Sequence, residues 1–240
     1  MNEDKIYIDE KLGDEPFRFD DAVAKVFPDM LRRSIPGYTA TLEAIGSLAA
    51  RQVAAGTNCY DLGCSLGAAT LAMRQGIRAT GCRIIAVDNS DAMIERCETV
   101  FADAPDVEVR LADILDAEIE NASMVVMNYT LQFLTVETRE SMLKRIFEGL
   151  VPGGLLLLSE KVIDEDPRME ALLVDLHHEH KRRNAYSELE ISRKRTALEN
   201  VLIPETLSVH KRRLAKAGFA HAAVWLRYFN FVSIVAIKQS

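Results

Sequence analysis

The chain has 240 residues, of which 48% are hydrophobic and 27% charged, a balance that suits one large globular core and excludes a disordered or fibrous protein. Its formal net charge of −7 speaks against a protein devoted to non-specific nucleic-acid binding, which needs a positive face. Apolar stretches such as 155–158 are far too short to cross a bilayer, and the acidic segment 1–15 has no signal-peptide core, so a cytoplasmic protein is expected. Cys59, Cys64, Cys82 and Cys97 show neither a CxxC pair nor zinc-ligand spacing and read as reduced thiols.

Residues 1–20, broken by Gly13 and Pro16, show no periodicity and are expected to be loosely ordered. From 21 to 33, Val23, Val26, Phe27, Met30 and Leu31 recur at helical spacing, with Pro28 expected to kink or divide that helix. Pro36-Gly37 turns the chain, and 39–54 reads as a second amphipathic helix. Short apolar runs then alternate with helical stretches. Strands are expected at 58–62, 83–87, 107–111, 123–127 and 155–159, and helices at 67–76, 90–102 and 137–150. Such alternation implies crossover connections and a parallel sheet. Residues 168–202 read as a charged helical insertion, a helix over 205–217 ends at Gly218, and strands near 221–229 and 231–238 form an antiparallel pair. The expected fold is therefore α/β: a single domain with a mostly parallel seven-stranded sheet, an antiparallel C-terminal strand, helices on both faces and an N-terminal helical cap over 1–55. That is the layout of class I methyltransferases.

The segment 60–67 follows a strand and opens a helix, and it reads Asp61-x-Gly63-x-Ser65-x-Gly67. Its spacing differs from a dinucleotide fingerprint and resembles the first methyltransferase motif, with Ser65 in the middle glycine's place. Asp88, at the end of the second strand, sits where α/β folds hold ribose hydroxyls, and its carboxylate can accept both hydrogen bonds of a diol. Asp113 and Ile114 close the third strand and Asn128 the fourth. All lie at carboxyl ends of expected parallel strands, the crevice where such sheets bind ligands. S-adenosylmethionine is the ligand this pattern implies; the reaction stays open, because fold alone does not give chemistry. After strand four, 128–133 lacks the Pro-Pro signature of amino-group methyltransferases and offers no obvious cysteine, histidine or lysine as nucleophile or base.

Over about 19–237 the chain resembles the carboxy-S-adenosyl-L-methionine synthases, bacterial relatives of methyltransferases. The resemblance rests on Val26-Phe27-Pro28-Asp29-Met30, Arg33-Ser34-Ile35-Pro36-Gly37-Tyr38, 61–70, Asp88-Asn89-Ser90, 120–126 and 186–192. It implies conversion of S-adenosylmethionine and prephenate to carboxy-S-adenosylmethionine, phenylpyruvate and water. Prephenate would lose carbon dioxide and hydroxide, the hydroxide would deprotonate the sulfonium methyl, and the ylide would trap the carbon dioxide. It also implies that Tyr38, Gly63, Cys64, Ser65, Asp88, Asn89, Asp113, Ile114 and Asn128 bind the adenosylmethionine or its product. Arg195 is implied to hold the carboxylate, a task suited to its two-pronged, permanently charged guanidinium. A homodimer is implied, with Arg195 possible across the interface, as is a downstream tRNA carboxymethyltransferase that uses the product on wobble uridine. No metal and no direct nucleic-acid contact is expected.

Other signals have plainer readings. Lys181-Arg182-Arg183, Arg193-Lys194-Arg195 and Lys211-Arg212-Arg213 alternate with acids, as on a solvated helical surface. His177, His178 and His180 lack the partner carboxylate of a metal site, and Trp225, Tyr228 and Phe229 read as core aromatics of a late strand. Phe17, Phe19 and Phe27 read as packing, Tyr38 as functional. Two alternatives to the synthase remain at this level: a conventional methyltransferase acting on a small molecule or tRNA, and a non-catalytic adenosylmethionine-binding scaffold.

Overall fold

The structure, a computed structural model, describes residues 3–8 and 16–239. The helix α1 (Asp21–Ser34) is capped by Asp20, whose carboxylate accepts from the Val23 N–H, and α2 (Tyr38–Gln52) follows the Pro36-Gly37 turn. Then come β1 (Asn58–Leu62), α3 (Ala68–Gly76), β2 (Arg83–Asp88), α4 (Asp91–Phe101), β3 (Val107–Leu111) and β4 (Ala122–Asn128). A short 3-10 turn (Leu131–Phe133) leads to α5 (Val136–Gly149) and the long β5 (Leu150–Ile163). The chain ends with α6 (Pro167–Arg183), α7 (Glu188–Leu198), the two-residue β6 (Glu205–Thr206), α8 (Leu207–Ala217), β7 (His221–Tyr228) and β8 (Phe231–Ile237).

The strands order as β3-β2-β1-β4-β5-β8-β7, with β6 pairing β5 to one side. The strands β1 to β5 run parallel along this path, and β8 runs antiparallel to both β5 and β7. Period-two alternation divides the strand side chains between two cores. Leu62, Val87, Val125, Met127, Leu156 and Leu158 face Met142, Leu143 and Ile146 of α5 and Leu214 of α8. Their neighbours Cys59, Ile84, Met124, Val126, Leu155 and Leu157 face Ile45 of α2 and Met73 of α3. Each fully buried Leu, Ile or Met contributes ~1.5–3 kcal/mol, so this two-faced burial is what fixes the strand ends in space. The α2–α3 contact is close enough that a Cβ on Gly76 would stand 2.1 Å from the Gly46 carbonyl oxygen.

Several expectations are corrected. The helix α1 runs unbroken through Pro28, held by Val23, Val26, Phe27 and Met30 buried along one face; packing outweighs the one lost hydrogen bond. The charged stretch is two helices, parted at 184–187, where Ala185 has a positive φ of 63° and Ser187 with Glu190 forms a capping box. Strand β5 extends beyond 155–159 at both ends. Gly13 lies outside the described residues, but the described part of the N-terminal segment is not loose. Asp4 and Tyr7 are buried, the Asp4 N–H donates to Asp29, and Arg193 donates to the Tyr7 and Ile8 carbonyls. Trp225 and Tyr228 are 36% and 45% exposed, because β7 is the sheet edge. Among the described residues no helix is long and apolar enough to cross a membrane.

Candidate active site

The parallel strands end together beneath α1, and between them lies a cavity of about 770 Å³, in the upper part of the range for small-molecule sites. Nine of the ten residues singled out by sequence line it: Tyr38, Gly63, Cys64, Ser65, Asp88, Asn89, Asp113, Ile114 and Asn128. Arg195 stands outside. It is exposed on α7, although its charge is felt at Lys161 and His178.

The loop after β1 is built around Asp88. Its two carboxylate oxygens accept from the Ser65 N–H at 2.9 Å and the Ser90 N–H at 3.0 Å, leaving a further lone pair on each. Burial pushes the Asp88 carboxyl above its ordinary range, against the pull of those N–H groups. Asp61 is fully buried and pushed up to about 6 by desolvation, with the Thr70 hydroxyl donating to it at 2.6 Å. Gly63 has φ 81°, and a Cβ there would meet Thr130 at 2.4 Å. Cys64 turns its thiol into the α4 packing with Cys97 and Phe101. Asp113 closes β3, accepting the Leu115 N–H at 2.8 Å, while Ile114 beside it is buried.

At the end of β4, the Asn128 amide oxygen is buried and has no hydrogen-bond partner among the described residues. Such an acceptor is expensive to leave unmet unless a ligand supplies its donor. Ser65 and Tyr129 hold left-handed φ angles of 49° and 65°, the kind of backbone strain that collects at functional sites. Phe17, Phe19 and Phe27 stack edge to face, Phe19 also on Phe133, and all four line the cavity. Their packing role and the cavity wall are the same surface.

The far wall carries charge that the sequence reading had given to solvent. Lys161 of β5, Lys181 of α6 and Lys194 of α7 line the cavity, with His177 beside them. Lys181 and Lys194 are buried, whereas Arg182 and Arg183 face outward. Helical spacing held the missed signal. Lys181 lies one turn beyond His177, and Lys194 shares its face with Ile191 and Leu198, so neither faces the side their basic neighbours do. His177 donates through Nε2 to the Ser34 carbonyl at 2.9 Å, stacks on Phe231, and is pushed down to about 2 by burial and by Lys181 and Lys161. Burial thus favours its neutral form. No cluster of three or more metal-ligating side chains occurs among the described residues.

A family profile for a methyltransferase domain matches residues 60–154. The carboxy-S-adenosyl-L-methionine synthase of Vibrio parahaemolyticus is 56% identical over 233 residues, covering 95% of this chain and 94% of that one. That of Psychromonas ingrahamii is 52% identical over 239 residues, covering 98% of each. The chain belongs to the carboxy-S-adenosyl-L-methionine synthase family. As a member it is an enzyme of the transferase class. Its fold is the class I methyltransferase fold, shared with an O-methyltransferase family protein from Burkholderia thailandensis (TM-score 0.67, 14% identity, 98% of this chain and 62% of that one). Human N-acetylserotonin methyltransferase in complex with SAM is another likeness (TM-score 0.64, 17% identity, 98% of this chain and 58% of that one). At these identities the solved structures speak for the fold alone.

Proposed function

We propose that this synthase-family chain converts S-adenosylmethionine and prephenate to carboxy-S-adenosylmethionine, phenylpyruvate and water. The observation that carries the reading is identity of 52–56% to synthases over nearly the whole chain. The site's residues fit the adenosyl substrate. The spare lone pairs of Asp88 suit the ribose hydroxyls, Asp113 and buried Ile114 suit the adenine amino group and ring, and the orphaned Asn128 oxygen suits the methionine end. Prephenate supplies carbon dioxide and hydroxide as its ring becomes aromatic; the hydroxide takes the methyl proton and the carbon dioxide joins the methyl carbon. Tyr38, Tyr129 and His177 are poor bases here. Burial raises the Tyr38 and Tyr129 hydroxyls far above their ordinary value and strips His177 of its proton affinity, in keeping with a substrate that carries its own base. The protein positions the reactants and excludes water, through the phenylalanine wall under α1.

In this reading Arg195 holds the new carboxylate from the neighbouring subunit of a homodimer. Its exposure is consistent with that, as is the exposed apolar stripe of Met169, Leu172 and Leu176 on α6. The product then feeds a cytoplasmic tRNA carboxymethyltransferase acting on wobble uridine. The test is to incubate the purified protein with S-adenosylmethionine and prephenate. Equal amounts of phenylpyruvate and a product heavier than S-adenosylmethionine by one carbon dioxide are expected, whereas methyl transfer independent of prephenate would support a conventional methyltransferase instead. Arg195→Ala should keep S-adenosylmethionine affinity and lose carboxylation; unchanged carboxylation by the variant removes Arg195 from this role.

A further inference from the structure

The cavity is acidic at one end and basic at the other. Asp61, Asp88 and Asp113 line the ends of β1 to β3, while Lys161, Lys181 and Lys194 converge from β5, α6 and α7. These lysines are not equivalent. Lys194 has partners, donating to the Ser34 hydroxyl at 2.9 Å and lying 3.7 Å from the buried Asp4 carboxylate. Lys181 is only 7% exposed, and among the described residues no hydrogen bond or ion pair reaches its ammonium. The Lys161 ammonium likewise has no such partner, with Glu170 as the acid that acts on it from a distance. Burying ammonium groups without counter-charge is costly. Here the cost shows in their protonation: burial, with Lys194 and Lys161 beside it, holds Lys181 down at about 7, and burial with Arg33 holds Lys194 at about 8 against Asp4 and Glu190. Asp4 acts on Lys181, Glu170 on Lys161, and Asp4 with Glu190 on Lys194, yet among the described residues no carboxylate pairs directly with the Lys181 or Lys161 ammonium.

We propose that Lys181 and Lys161, with Lys194 behind them, form the subsite for the 2-oxo-acid carboxylate of the second substrate. This deepens the synthase reading and rests on it. Prephenate has two carboxylates with opposite fates. The ring carboxylate gives up its charge as carbon dioxide, so a strong cation beside it would stabilise the reactant over the transition state and slow the step. The side-chain carboxylate keeps its charge from prephenate to phenylpyruvate and is the one that a fixed ammonium cluster can hold throughout. Held there, it leaves the ring carboxylate to the apolar wall of Phe19, Phe27 and Phe133, where a carboxylate is poorly solvated and its loss is favoured. The lysines thus select a 2-oxo acid and orient it, while the opposite wall holds the adenosyl group.

The test uses Lys181→Met and Lys181→Arg in the full-length protein, with two independent readouts. Calorimetric titration of phenylpyruvate into wild type loaded with S-adenosylmethionine should show binding. It should weaken at least tenfold in Lys181→Met and recover largely in Lys181→Arg, with S-adenosylmethionine affinity unchanged in both. In turnover, Lys181→Met should raise KM for prephenate at least tenfold with a smaller change in kcat. Absence of phenylpyruvate binding to wild type, or equal binding by Lys181→Met, overturns the subsite, as does an unchanged KM. If phenylpyruvate binding behaves as expected but prephenate yields no carboxylated product, the synthase reading fails and the oxo-acid subsite stands. Because Lys181→Met removes an unpartnered buried charge, the variant should fold, and its melting temperature checks this.

Discussion

Asp88 holds the glycine loop and, in the proposed function, contacts the ribose, so its two roles can be separated. Asp88→Asn keeps an acceptor for one of the two N–H groups and removes the cost of a buried charge, so the fold should survive. The lost charge-assisted hydrogen bonds should weaken S-adenosylmethionine binding by ~1.5–3 kcal/mol, a roughly tenfold to hundredfold change. Calorimetry would show it, and equal affinity in the variant would move the ribose elsewhere. Ser65 is the second informative residue, with φ 49° at a place where the related motif has glycine. The left-handed conformation costs a non-glycine residue ~1–2 kcal/mol. Ser65→Gly should therefore raise urea stability by about 1 kcal/mol, less than the full strain because glycine gains entropy in the unfolded chain. A loss of stability would mean that the hydroxyl contributes more than the strain costs.

At the scale of elements, α8 carries a buried group that makes the fold sensitive to acid. His210 is 0% exposed, neither ring nitrogen has a partner among the described residues, and burial holds it down at about 4, with Arg213 and Arg139 adding to the effect and Glu205 opposing it. A depressed histidine pKa contributes stability that is complete above the unfolded value near 6.5 and is lost as pH falls towards 4. His177 acts in the same sense, down to about 2. Asp61, raised to about 6, acts oppositely, since folding favours its protonated form and stability is regained as pH falls. His210→Leu isolates one of these contributions. Relative to wild type, the variant should gain ~2 kcal/mol between pH 7 and pH 5, at ~1.4 kcal/mol for each pH unit below 6.5. A pH-independent difference in denaturation free energy would contradict the assignment. The elements also show which signals a sequence carries. The strand ends at Gly63, Asp88, Asp113 and Asn128 were legible because a turn glycine and a strand-terminal acid announce themselves within a few residues. Lys181 and Lys194 were harder to read, since each stands in a basic run: helical spacing sets each apart from its basic neighbours, but the packing of α6 and α7 against α1 and the N-terminal segment is what turns that face inward. Pro28 and Trp225 misled for a related reason. Local propensity foresaw a broken helix and a buried strand, while the neighbours that keep α1 whole and leave β7 at the edge lie far away in sequence.

For the whole molecule, one sheet brings two chemically opposite walls to face each other, the carboxylates of β1–β3 and the lysines of β5, α6 and α7. That arrangement suits two reactants, one adenosyl cation and one organic anion, held side by side away from water. The direct measurement of the central claim is mass spectrometry of the small molecules released by denaturing the freshly purified protein after incubation with prephenate. The account predicts a ligand heavier than S-adenosylmethionine by one carbon dioxide, co-purifying with the chain and increasing with prephenate. S-adenosylmethionine or S-adenosylhomocysteine alone, with no carboxylated species at any prephenate concentration, would contradict it.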